Sequence, residues 1–164
     1  MKLALLIIDM QKAYYENEDK VSMDRAAEYI NEAVSLFRRN NLPLVWIQDA
    51  DEEDGIVPCT PGFEIINTLS PGEDEKRIHK NYGNSFNKTG LLDYLGSVQV
   101  DTVVLTGYCA EYCVLSTYRG ARDLDLFPVL LRHGTASGTA ENIRFVESIS
   151  ELVTLNVLRR MIEG

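Results

Sequence analysis

The 164-residue sequence predicts a three-layer α/β/α domain built on a parallel sheet of about six strands, with helices on both faces. Three observations carry that expectation. Apolar runs and amphipathic helical stretches alternate along the chain. The runs at Leu3–Ile8 and at residues 42–47 are apolar throughout rather than at every second position, as strands covered on both faces must be. Chemically capable residues follow the runs, as they do at the carboxyl edge of an open parallel sheet.

Each element has its own reason. Leu3–Ile8 reads as a central strand ended by Asp9, and the polar and aromatic residues 10–21 as a loop. Over residues 24–40, Ala26, Ala27, Ile30, Ala33, Val34 and Phe37 form one helical stripe. Ser22 or Asp24 would cap that helix, and Arg38 and Arg39 suit its carboxyl end. Pro43 opens the second strand, residues 42–47. The acidic stretch 48–62 holds Gly55, Pro58, Pro61 and Gly62, a loop of a length that usually goes with function. There follow a short helix over 63–69, a strand over Lys76–Lys80, a turn-rich loop to residue 87, and a helix over 89–95 closed by Gly96. A strand over 102–106, a helix over 112–125 and a strand over 127–132 come next. Thr139 caps a helix to about Glu151 with Ile143, Val146 and Ile149 inward. Residues 153–154 form a brief strand and 155–162 a terminal helix. With no repeat or linker, residues 1–164 form one domain.

Charge and cysteines exclude several classes of function. The net charge is −9 and no block of Lys and Arg appears, so a nucleic-acid partner is not expected. The first apolar run stops at Asp9, too short for a secretory leader, and nothing approaches the roughly 20 apolar residues of a membrane span. Three cysteines without C-x-x-C or zinc-type spacing read as free thiols and point to the cytoplasm.

On this topology Asp9, Asp49, Lys80, Cys113 and His133 fall at or beyond successive strand ends, on one edge of one sheet. Cys113 lies where a helical pattern begins, a place where unpaired N–H groups and the helix dipole favour a thiolate. Taken singly, Cys113 is equally a small buried apolar residue, Lys80 a solvated one and Asp9 a turn residue. Together they suit covalent catalysis. Asp9 serves as general base, Lys80 as charge partner, and backbone N–H groups around Cys109 and Cys113 as an oxyanion hole.

Four segments sharpen this reading: LLIIDMQKAYY, PCTPGFEI, IHKNYGNSFNKTGL and TGYCAEYCVLST. In order and spacing they resemble the D-x-Q-x-x-F/Y, P-G-T-x-G-x-E-I, K-x-x-x-S-x-F-x-x-T-x-L and G-x-x-x-x-x-C-V-x-x-T segments of the isochorismatase-like cysteine hydrolase superfamily, which includes nicotinamidases and N-carbamoylsarcosine amidase. The resemblance implies the isochorismatase-like hydrolase fold and a triad of Asp9, Lys80 and Cys113. It also implies a cis peptide at Tyr108–Cys109, and Gln11 and Tyr14 shaping the substrate pocket. His133 stands where many relatives carry an acidic residue and is a further candidate for that pocket. The implied reaction is C–N cleavage of a small carboxamide or ureido substrate through a thioester on Cys113, by a homodimer or homotetramer.

The sequence also departs from the nicotinamidase pattern. The D-x-H metal segment reads Asp49-Ala50-Asp51, and the only histidines are His79 and His133, so neither a zinc site nor any cofactor is expected. An oxygen-only magnesium or calcium site among Asp49, Asp51 and Glu52 stays open beside a plain solvated acidic loop. Two functional alternatives stand next to the amidase. One is isochorismatase-type cleavage of a vinyl ether, and the other a binding or scaffold protein without turnover.

Overall fold

A computed structural model describes all of residues 1–164. The strands are β1 (Leu3–Ile8), β2 (Leu44–Asp49), β3 (Lys76–Lys80), β4 (Thr102–Tyr108), β5 (Phe127–Ala136) and β6 (Leu152–Val153). The α-helices are α1 (Asn17–Arg39), α2 (Leu91–Ser97), α3 (Leu115–Asp123), α4 (Ala140–Ser148) and α5 (Leu155–Glu163). All strands run parallel in one six-stranded sheet, ordered β3-β2-β1-β4-β5-β6. The order reverses between β1 and β4, and the crevice above that point is where such sheets bind ligands.

Alternation along β1 divides the core into two layers. Leu3, Leu5 and Ile7 pack with Trp46, Ala26, Ile30, Phe37 of α1 and Leu158 of α5. Ala4, Leu6 and Ile8 pack on the other face with Leu91, Leu95, Val114, Tyr118 and Val146. Leu5, Leu6, Ile7 and Ile8 are all fully buried, each stabilising by about 1.5–3 kcal/mol. That burial places Asp9, the residue after β1, at the crevice.

The structure corrects several local expectations. Helix α1 begins at Asn17, about two turns before residue 24, in a stretch too poor in apolar residues to show a stripe. Glu18 and Asp19 suit its positive end, and Lys20 pairs with Asp24 at 2.7 Å. Neither Ser22 nor Asp24 caps it: Ser22 Oγ accepts from Ser137 N–H, and Asp24 holds Lys20 and the Tyr15 hydroxyl. No helix forms over 63–69. A 3-10 turn at Pro61–Phe63 leads into extended chain that bridges Gln11 to Ile65, with Ile66 N–H donating to Met10 O. Helix α2 runs through Gly96 to Ser97, α3 is preceded by a π-helical turn (Ala110–Val114), and Ile149 is exposed. Strand β5 continues four residues past Arg132, to Ala136.

One glycine is dictated by the fold. Gly107 sits at φ +114° where β4 shifts register, and a Cβ there would lie 2.0 Å from Ile8 O. Gly107→Ala is therefore expected to destabilise by about 3 kcal/mol or more, lowering Tm by roughly 6–12 °C in thermal denaturation.

Candidate active site

The ends of β1, β2 and β3 and the turn after β4 bring four side chains together. Asp9, at φ +50°, leaves the end of β1 with its N–H donating to Ile47 O at 2.9 Å. On β3, Ile78 and Lys80 point to the buried side while His79 faces outward, its ring edge-on to Phe63 at 4.8 Å. Lys80 Nζ then lies 2.8 Å from Asp9 Oδ2, 3.0 Å from Asp49 Oδ1 and 3.5 Å from Cys113 Sγ. An ammonium has three hydrogens, and each meets an acceptor.

Asp49 is the member whose role the sequence left open. Its Oδ2 accepts from the Tyr14 hydroxyl at 2.9 Å, and Tyr14 stacks on Tyr108 with ring centres 5.2 Å apart. The side-chain amide of Gln11 is fully buried beneath it. Gln11 Oε1 accepts from Asp49 N–H at 2.7 Å, while Nε2 donates to Asp49 O at 2.9 Å and Phe63 O at 3.2 Å. Gln11 thus braces the end of β2. Asp51 accepts from the N–H groups of Glu53 and Asp54, forming a turn. No group of three or more His, Cys, Asp or Glu side chains is arranged to hold a metal ion.

His133 stands apart from the cluster. It lies within β5 at φ +68°, exposed, with its ring 4.9 Å from that of Tyr29. With Arg25, Tyr29 and Ser137 it lines a separate cleft of about 420 Å³ beside α1.

Burial and charge set the protonation pattern. Burial raises the Asp9 carboxyl to about 6, although Lys80 pulls the other way. Its Oδ1 is buried and has no hydrogen-bond partner, leaving a lone pair free to take a proton. Burial works against the Lys80 ammonium, but Asp9, Cys113 and Asp49 together carry it above the ordinary lysine range. Burial and then Asp9 push the Cys113 thiol up to about 12 against the pull of Lys80. The helix-terminus expectation of a resting thiolate is thus reversed. Cys113 is the fourth residue of the π-helical turn, half-buried beside carboxylates, and rests as a thiol with a base next to it.

The Tyr108–Cys109 peptide is cis. Cys109 is buried, and its Sγ–H donates to Glu111 Oε2 at 3.0 Å. Glu111 escaped the sequence reading, because an acid in the first turn after a strand looks like a residue favoured by the helix dipole. Nothing in its spacing points to Cys109, Ser137 and Asn142, which all donate to it.

An isochorismatase domain model matches residues 3–152. The chain belongs to the isochorismatase family. It is 31% identical over 142 residues to the uncharacterised isochorismatase family protein YrdC of Bacillus subtilis, covering 83% of this chain and 74% of that protein. It is 32% identical over 121 residues to streptothricin hydrolase of Streptomyces noursei, covering 72% of this chain but only 48% of the relative. The crystal structure of an isochorismatase-like hydrolase from Alkaliphilus metalliredigens superposes with a TM-score of 0.89 at 28% identity, covering 98% of this chain and 99% of that one. The chain is thus a hydrolase of this family with the family's α/β fold, and no helix is long and apolar enough to cross a membrane.

The cluster also makes a stability prediction. Lys80→Met leaves two carboxylates facing one another without a cation, which is expected to cost about 3–5 kcal/mol in urea denaturation at pH 7. Protonation in the folded state relieves that repulsion, so the gap to the parent should narrow as pH falls toward 5.

Proposed function

We propose that this hydrolase cleaves the C–N bond of a small carboxamide or ureido compound through a thioester on Cys113. The single observation that carries the reading is Lys80 Nζ in simultaneous contact with Asp9, Asp49 and Cys113. That arrangement pairs a thiol with a base whose charge stays balanced as protons move. The hydrolase named for streptothricin, which this chain resembles, supports hydrolysis as the reaction.

The steps follow from the positions. Asp9 takes the Cys113 proton through its unpartnered Oδ1 as the sulfur attacks the carboxamide carbon. A C–S bond forms, and the carbonyl oxygen gains charge that the N–H groups of Cys109 and Cys113 receive. Asp9 returns the proton to the leaving nitrogen, the C–N bond breaks, and ammonia or an amine departs. Water then adds to the thioester while Asp9 takes one of its protons. The C–S bond breaks, the acid leaves, and the proton returns to sulfur. Lys80 remains cationic throughout and steadies the sulfur whenever it is anionic. Gln11 and Tyr14 shape the approach, Tyr14 and Tyr108 offering ring faces to a flat substrate.

Supplied with a panel of small amides, the parent is expected to release ammonia and to carry an acyl adduct on Cys113 in mass spectrometry. Cys113→Ala should lose about 10³-fold or more of kcat, and equal activity in that variant would overturn the assignment. Since Asp9 must be ionised to accept the proton, kcat/KM should fall below about pH 6 with unit slope.

The exposed apolar side chains Tyr112, Phe145 and Ile149 lie on the turn and helix beside the nucleophile. We take them as surface for a second copy and place the protein in the cytoplasm, where its three free thiols stay reduced. Light scattering after size-exclusion chromatography should give the mass of two or four chains; a single-chain mass at micromolar concentration would refute the homo-oligomer.

A further inference from the structure

Beside the proposed nucleophile lies a second buried thiol with a carboxylate of its own, and the reaction steps above leave that carboxylate without a role. Glu111 Oε2 accepts from Cys109 Sγ–H at 3.0 Å. Its Oε1 accepts from Ser137 Oγ–H at 3.0 Å and from Asn142 Nδ2–H at 2.7 Å. Ser137 is itself fixed twice, its Oγ accepting from Thr139 N–H at 3.1 Å and its N–H donating to Ser22 Oγ at 3.0 Å. One carboxylate therefore ties the turn after β4 to the end of β5, to α4 and, through Ser137, to α1.

These donors also keep the group charged. Burial works against the Glu111 carboxylate, yet Cys109, its own backbone N–H, Asn142 and Ser137 hold it below the usual range. Cys109 responds in the opposite sense, burial and then Glu111 pushing its thiol up to about 12. Of two thiols four residues apart, Cys113 has a carboxylate with a free oxygen beside it and Cys109 has one fully occupied by donors.

We propose that Glu111 is a positioning residue: it anchors the Cys109 side chain, and through it the backbone N–H that receives the oxyanion, and it keeps Cys109 a hydrogen-bond donor rather than a second nucleophile. This rests on the cysteine-hydrolase reading given above. Cys109 cannot shift its backbone while its sulfur is held, and its sulfur cannot move while Glu111 is held by two other elements. A displacement of about 1 Å at such a donor is enough to cost roughly 100-fold in rate.

Glu111→Gln removes the charge and replaces an acceptor oxygen with a donor, so at least one of the three bonds must break. The expected result is a kcat about 10- to 100-fold below the parent with KM within twofold, because a misplaced oxyanion donor weakens the transition state and not the bound amide. Cys109→Ala should fall comparably. The double variant should lie within about threefold of the lower single, since the two substitutions break one chain of action. A residue with a merely structural role would lower Tm and leave kcat per folded molecule unchanged.

A second measurement starts from the parent protein and extends to Glu111→Gln at a temperature where its circular dichroism matches the parent's. In the parent at pH 8, iodoacetamide followed by peptide mapping should label exposed Cys59 and leave Cys109 at least about tenfold slower. In Glu111→Gln the ratio of Cys109 to Cys59 labelling should rise several-fold. The proposal is overturned by an unchanged kcat in Glu111→Gln, by multiplicative losses in the double variant, or by parent Cys109 labelling as fast as Cys59. Loss of ammonia release in Cys113→Ala alongside a silent Glu111→Gln would sink this inference alone; full activity in Cys113→Ala would sink the reading beneath it.

Discussion

A buried ammonium with three acceptors organises the site. Lys80 belongs to an edge strand, and its long side chain crosses the end of β2 to reach Asp9 on β1 and the sulfur beyond β4. Taking a cation and a carboxylate out of water costs several kcal/mol each, and a single pair seldom recovers that. The second carboxylate, Asp49, lies on the strand being crossed and closes the deficit. Gln11 and Tyr14 then fix Asp49, so the loop after β1 is bound to the end of β2 by the same requirement. The geometry of three strand ends follows from satisfying one nitrogen.

Two cysteines and three carboxylates in this small region show how surroundings divide roles among like groups. Cys113 stands next to Asp9, whose second oxygen is free, and Cys109 next to Glu111, whose oxygens are both engaged. Solvent access differs as well, since Cys109 is buried and Cys113 half-buried. Neither thiol is acidic at rest: at Cys113 burial and Asp9 outweigh the pull of Lys80, and at Cys109 burial and Glu111 act in the same direction. Reactivity in such a pair is decided by where the proton can go.

Much of the fold was legible in the sequence because burial on both faces leaves an unambiguous apolar run. Leu3–Ile8 and Lys76–Lys80 have the bounds that composition suggests, and the strand-to-helix alternation gives the parallel sheet. What escaped was governed by contacts between distant residues. The first turns of α1 hold few apolar side chains, and residues 64–66 lie extended before a turn at 67–68 because Gln11 and Met10 offer Ile65 and Ile66 backbone partners. The site divides along the same line. Asp9, Lys80 and Cys113 could be named from strand ends and from family resemblance, and they do meet. Asp49 as a second acceptor for Lys80, the distance of His133 from the cluster and the bonds of Glu111 depend on side-chain reach, which spacing does not encode.

The chain has one tryptophan, and its placement gives it a use beyond packing. Trp46 is buried in β2, its indole N–H donating at 2.6 Å to Glu75, which also accepts from Arg38 of α1 and from Gly72 N–H. Its emission therefore reports on the joint where α1, β2 and the approach to β3 meet. A chemical change at the sulfur leaves that joint intact, whereas loosening of the sheet edge lets water and a moving carboxylate quench it. Intrinsic fluorescence accordingly separates a silent reaction centre from an unfolded molecule without any added label.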